Sequence, residues 1–135
     1  MSDVDTCFIY MICHKSGDRL AGPVKVGITG QLSARLAQVQ TGNPYPLELA
    51  IYLPMPDRSV AGLFEGGFHQ VMAVHRMKGE WFNLTPTLAL AALVANVRSG
   101  LQHFIGDDPD LFDLAVKHCR LAEAEDLLKE IMANG

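Results

Sequence analysis

Tyr10, Lys25 and Arg35, together with Gly27, are residues whose types and spacing would suit the holding of a phosphodiester. If the segments holding Tyr10 and Lys25 pair as a hairpin, a phenol and an ammonium share one sheet face. Gly27 on that face leaves a floor that a ligand backbone can approach. Arg35 lies one helical position before Leu36, beside a buried stripe, from where it can reach back over the sheet. A guanidinium holds two phosphate oxygens at once, and an ammonium supplies a compact charge. Taken one at a time, these residues have plainer readings. A tyrosine on a central strand is core, a lysine snorkels, and a helix arginine is solvated.

A second set is Glu65, His69, Met72 and Arg76, spaced i, i+4, i+7 and i+11 along one strip of a helix. One carboxylate suits a hard divalent cation, which takes one or two protein carboxylates plus phosphate and water. His69 reads as a second ligand, a proton shuttle or a phosphate partner. Gly66 and Gly67 follow Glu65 directly. Each glycine costs a helix about 1 kcal/mol relative to alanine, which points to close packing or ligand approach there. Thr29, Arg76 and Asn83 join Gly27 as candidate substrate contacts. The alternative for the whole set is an amphipathic helix with a Glu–His pair at its margin. Tyr45 either stacks on a base or packs locally.

These groups need elements to hold them. Thr6–His14 is β-branched, aromatic and apolar on both faces, and reads as a central strand. A polar turn over Lys15–Gly22 leads to a second strand, Val24–Thr29. There Val24, Val26 and Ile28 oppose Lys25, Gly27 and Thr29. Leu32, Leu36 and Val39 mark a helix that ends at Thr41-Gly42-Asn43-Pro44. Leu47–Leu53 is a third strand. Asp57 or Ser59 caps a long helix running to about His75, with Val60, Phe64, Phe68 and Val71 as its stripe. Gly79–Leu84 is a short extended closing segment. Thr87–Arg98 and Leu111–Ala133 are helical. The expected class is α+β, with a small three-stranded, mainly antiparallel sheet flanked by helices and a C-terminal helical extension.

The 135 residues are 49% hydrophobic and 19% charged, which excludes wholesale disorder. The longest apolar stretch, Leu88–Val97, is interrupted by Asn96 and is too short to span a bilayer. Cys7, Cys13 and Cys119 lack CxxC spacing and fit reduced thiols in a cytoplasmic protein. The net charge of −4 argues against a general nucleic-acid binder, yet it is unevenly spread. Residues 1–85 carry seven Lys/Arg and seven Asp/Glu, whereas residues 86–135 carry four and eight. The chain therefore divides near residue 85 into a neutral part, 1–85, and an acidic helical part, 86–135. The second part either packs on the first or serves association with a protein partner or a second copy. Packing is the default.

Taken in order, Phe8-Ile9-Tyr10, Lys25-Val26-Gly27-Ile28-Thr29, Arg35-Leu36, Glu65 with His69, and Gly79-Glu80-Trp81-Phe82 resemble the GIY-YIG nuclease superfamily. The chain looks most like a compact branch, common in phages and bacteria, whose second half-motif reads K-x-G-I-T. Gln40-Thr41-Gly42-Asn43-Pro44 also matches a loop of that branch. The resemblance covers about residues 7–84. It implies a small antiparallel sheet with helices and magnesium- or manganese-dependent hydrolysis of DNA phosphodiesters. Tyr10 would then deprotonate or position the attacking water, and Arg35 would steady the scissile phosphate. Glu65 would bind the metal. Lys25 stands where many members have a second tyrosine, Gly27 matches the motif glycine, and Asn83 matches a late polar residue loosely. Phe8 replaces the first motif glycine. The expected function is a metal-dependent DNA endonuclease. The alternative is a catalytically inactive binding or adaptor module with the same fold, favoured by the lack of a basic patch.

Overall fold

The computed structural model describes residues 7–104 apart from residues 18 and 56. Cys119, the Leu111–Ala133 helix and its association surface lie outside the described residues. The core of the fold is a four-stranded antiparallel sheet in the order β3-β1-β2-β4. Its strands are β1 (Cys7–Ser16), β2 (Arg19–Thr29), β3 (Leu47–Met55) and β4 (Trp81–Phe82). Three helices flank it: α1 (Leu32–Thr41), α2 (Arg58–Val71) and α3 (Pro86–Phe104). The class is α+β, as expected, but the strand count of three is corrected to four. Trp81 and Phe82 pair with Lys25 and Val24, so the closing segment is a true sheet strand.

β1 is central because both of its faces are apolar. Cys7, Ile9, Met11 and Cys13 are buried against α2 and α3 with Val24, Val26, Ile51 and Leu53. Tyr10 and Ile12 face the other way, toward Leu32, Leu36 and Val39 of α1. The period-2 alternation of β1 and the i, i+4, i+7 stripe of α1 thus meet across the sheet.

β2 begins at Arg19 rather than Val24, so the polar turn is shorter than its composition suggests. His14, Lys15 and Ser16 pair with Ala21, Leu20 and Arg19 beyond a register shift at Cys13/His14. This arm of the hairpin projects past the core, and its mixed polarity leaves no alternation to read. Pro23 falls within the irregularity, where a missing N–H is tolerated. α2 also departs from expectation at its end. It starts on Asp57, whose Oδ1 accepts from Val60 N–H at 2.9 Å, but stops at Val71 and gives way to a 3-10 turn over Ala73–His75.

α3 belongs to the main core. Ala89, Leu90, Leu93, Val94 and Val97 are buried in it. Asn96 Nδ2 donates to the Phe64 carbonyl of α2 at 2.7 Å. Gly67 makes that approach possible, since a Cβ there would lie 2.9 Å from Asn96 Oδ1. Gly66 has open space around it. Of the paired glycines, one therefore serves helix packing. No described helix is long and apolar enough to cross a membrane.

Candidate active site

β4 is only two residues long, so regular strand pairing along the outer edge of β2 ends at the Lys25–Trp81 pair and other groups take over. Val26 N–H donates to the Glu80 carbonyl at 3.2 Å, which carries the Glu80 side chain to this edge. The Val26 carbonyl accepts from His69 Nε2 at 2.9 Å. Since a carbonyl only accepts, His69 carries its hydrogen on Nε2 in this bond. The imidazole also lies edge-to-face with Phe82, the ring centroids 4.8 Å apart. One turn back on α2, Glu65 Oε2 is 3.9 Å from His69 Nε2. Sheet edge and helix thereby bring Glu65, His69 and Glu80 together, with a ligand atom of each within 4.8 Å of the others.

From the sheet face, Lys25 Nζ donates to Glu80 Oε1 at 3.0 Å. Tyr10 pairs with Gly27 across β1 and β2, and its ring runs over the glycine. A Cβ at position 27 would lie 2.6 Å from Tyr10 Oη and 2.7 Å from Glu80 Oε1. Only glycine admits both oxygens. The Tyr10 side chain is fully buried, and its hydroxyl makes no hydrogen bond of ordinary geometry among the described residues. The Arg35 guanidinium, half-buried on α1, acts on the phenol both through its charge and as a hydrogen-bonding neighbour of looser geometry.

The electrostatics divide the acidic groups into distinct roles. Burial, then the hydrogen bond with Glu80 and its charge, push Glu65 up to about 7, against the pull of Lys25. Burial acts upward on Glu80 too. Its hydrogen bonds with Glu65 and Lys25 and the charges of Lys25 and His69 outweigh that, and hold it below the usual carboxylate range. As pH falls below about 7 the first proton goes to Glu65, while Glu80 keeps the charge. Burial and the Glu80 charge push the Tyr10 phenol to about 12, with Arg35 opposing and Glu65 adding a smaller push. Tyr10 is therefore a neutral hydroxyl at pH 7.

Tyr10, Lys25, Gly27, Arg35, Glu65 and His69 converge. Three other candidates do other work. Thr29 is buried and its Oγ1 accepts from Gln31 N–H at 3.0 Å, shaping the entry to α1. Arg76 lies beyond the end of α2, and its Nε donates to the Gly79 carbonyl at 2.7 Å. Asn83 is exposed and lines a surface hollow of about 380 Å³ with Gly22, Pro23, His75 and Leu88. None of the converging residues lines that hollow. Phe8 is half-buried and packs edge-to-face on Tyr52, with centroids 5.7 Å apart. Tyr45 is exposed, with His14 as its ring neighbour at 6.1 Å.

Glu80 is the site residue that sequence reasoning passed over. It was visible within Gly79–Phe82, but its place depends on the pairing of Trp81 with Lys25, and no local periodicity reports that.

No curated protein and no solved structure gives a significant match. The T5orf172 domain model matches residues 7–98, a span that takes in every converging residue and most of α3. The chain belongs to the T5orf172 domain family, a nuclease-like domain of the GIY-YIG-like kind.

Proposed function

We propose that this protein is a divalent-metal-dependent endonuclease that hydrolyses DNA phosphodiester bonds. The observation that carries the reading is the convergence around Gly27. A buried phenol, two carboxylates and an ammonium meet where β2 runs past the short β4, with a guanidinium acting on the phenol.

The donor set fits magnesium or manganese. Glu65 and Glu80 are hard oxygen donors, and the Nε2–H of His69 is committed to the Val26 carbonyl. Glu65 would hold the ion, which supplies charge neutralisation at the phosphate and the leaving oxygen. Arg35 steadies the scissile phosphate through its planar fork, and Lys25 adds a point charge on the sheet face. Tyr10, neutral at pH 7, orients the attacking water through its hydroxyl. A cation held beside Glu80 would oppose the push that the Glu80 charge exerts on the phenol, while burial, the larger influence, keeps Tyr10 a neutral hydroxyl that positions water. His69 orients the edge by holding Val26 and facing Glu65. The cytoplasm is the fitting compartment, since Cys7 and Cys13 are buried free thiols.

The test is cleavage of supercoiled plasmid with magnesium or manganese. Wild-type protein nicks it. Tyr10→Phe, Arg35→Ala and Glu65→Ala each reduce the rate by about 100-fold or more. Wild-type protein that leaves supercoiled, linear and branched DNA intact over a wide range of pH and salt would refute the proposal in favour of a binding module.

A further inference from the structure

We infer that Glu80 is a second carboxylate ligand of the divalent cation, and that Lys25 is a resident counter-ion which the cation displaces. This rests on the reading that a divalent cation binds at Glu65, and extends it from one carboxylate to two.

Three independent observations converge. First, the Glu65 and Glu80 oxygens come from different elements, α2 and the approach to β4, and lie within 4.8 Å of each other, so that a small side-chain movement brings both onto one ion. Second, the buried Tyr10 hydroxyl lies over Gly27 beside Glu80 Oε1 and has no hydrogen bond of ordinary geometry among the described residues. A buried polar group without a partner marks a place where a ligand or a water belongs. Third, Glu80 already binds a cation, since Lys25 Nζ lies 3.0 Å from its Oε1 and is largely shielded from solvent. An ammonium and a divalent ion cannot both occupy that oxygen's inner side at full strength, because like charges at such separations repel strongly.

The consequence is an ordered site. Without metal, Lys25 is tied to Glu80 and faces inward. When a divalent ion takes Glu65 and Glu80, Lys25 is released from Glu80, and its ammonium becomes available to a phosphate oxygen. Metal loading and phosphate binding are then coupled through one side chain.

Manganese binding to the full chain, read by electron paramagnetic resonance and calorimetry without DNA, tests this separately from activity. Glu65→Gln and Glu80→Gln are each expected to weaken manganese binding by about tenfold or more, with the far-ultraviolet spectrum unchanged. Lys25→Met is expected to tighten it several-fold, because the competing ammonium is gone. If Glu65→Gln abolishes binding and Glu80→Gln binds like wild type, the ion uses Glu65 alone. The inference then fails while the nuclease reading stands. If Lys25→Met binds no tighter than wild type, the displacement is wrong. This arm stands even where Glu80→Gln fails to fold. If wild-type protein takes up no manganese at millimolar concentration, the metal reading and the inference fall together.

Discussion

Gly27→Ala puts the geometry of the site to its sharpest test. The added methyl would lie 2.6 Å from Tyr10 Oη, 2.8 Å from Tyr10 Cζ and 2.7 Å from Glu80 Oε1. All three distances are shorter than a carbon accepts, so neighbours must move. Tyr10 has little room, being fully buried among Ile12, Leu47 and the α1 stripe. Glu80 has more freedom, yet moving it breaks the 3.0 Å pair with Lys25. Overpacking of this kind costs about 1–3 kcal/mol. For a domain of this size that corresponds to a melting temperature lowered by roughly 5–15 °C. Manganese affinity should fall with it, since Glu80 is pushed from Glu65. The assay is a thermal melt with and without manganese. Tyr10→Phe in the same background should recover only part of the loss, because Cζ and Glu80 Oε1 still clash. A Gly27→Ala protein that melts with the wild type and binds manganese equally well would refute the placement of Tyr10 and Glu80 above this glycine.

Three further outcomes are expected. Glu65 has a folded pKa of about 7, above its unfolded value. Its contribution to stability is thus full below about pH 4.5 and lost as pH rises through about 7, with Glu80 working in the opposite sense. Urea midpoints across that range should show Glu65→Gln gaining on wild type as pH rises, and parallel profiles would contradict this. Gly66→Ala should stabilise the protein by about 1 kcal/mol, since the helix gains propensity into open space. Gly67→Ala should not, because its methyl meets Asn96, and equal urea midpoints for the two variants would contradict the packing. Ending the chain at residue 85 should abolish cooperative unfolding by circular dichroism. The buried residues of α3 and the Asn96 bond to α2 would be lost.

What could be read from the sequence was what is local. Asp57 announced its helix by type and position, and Leu32, Leu36 and Val39 by spacing. Tyr10 and Lys25 shared a face because two alternating strands close to each other in sequence must pair. Glu80 and Asn96 escaped because their roles come from contacts made far along the chain. Glu80 lies 55 residues from Lys25, and Asn96 lies 32 from Phe64. The strand start at Arg19 escaped for a different reason. An arm of the hairpin that projects beyond the core buries neither face fully, so its composition reads as a turn. The charge division near residue 85 was real as composition, but α3 lies wholly beyond it and still buries its apolar side in the core.

The short β4 has a consequence for association as well as for chemistry. A strand edge with free N–H and C=O groups is a template on which a second molecule can extend the sheet. Here the Val26 donor and acceptor are taken up by the Glu80 backbone and the His69 ring. The groups that build the site thus also close the edge. His69→Ala removes a neighbour of Glu65 and at the same stroke bares the Val26 carbonyl. Edge-to-edge self-association at high concentration, measurable by light scattering, is the cost of that change, separate from any loss of activity.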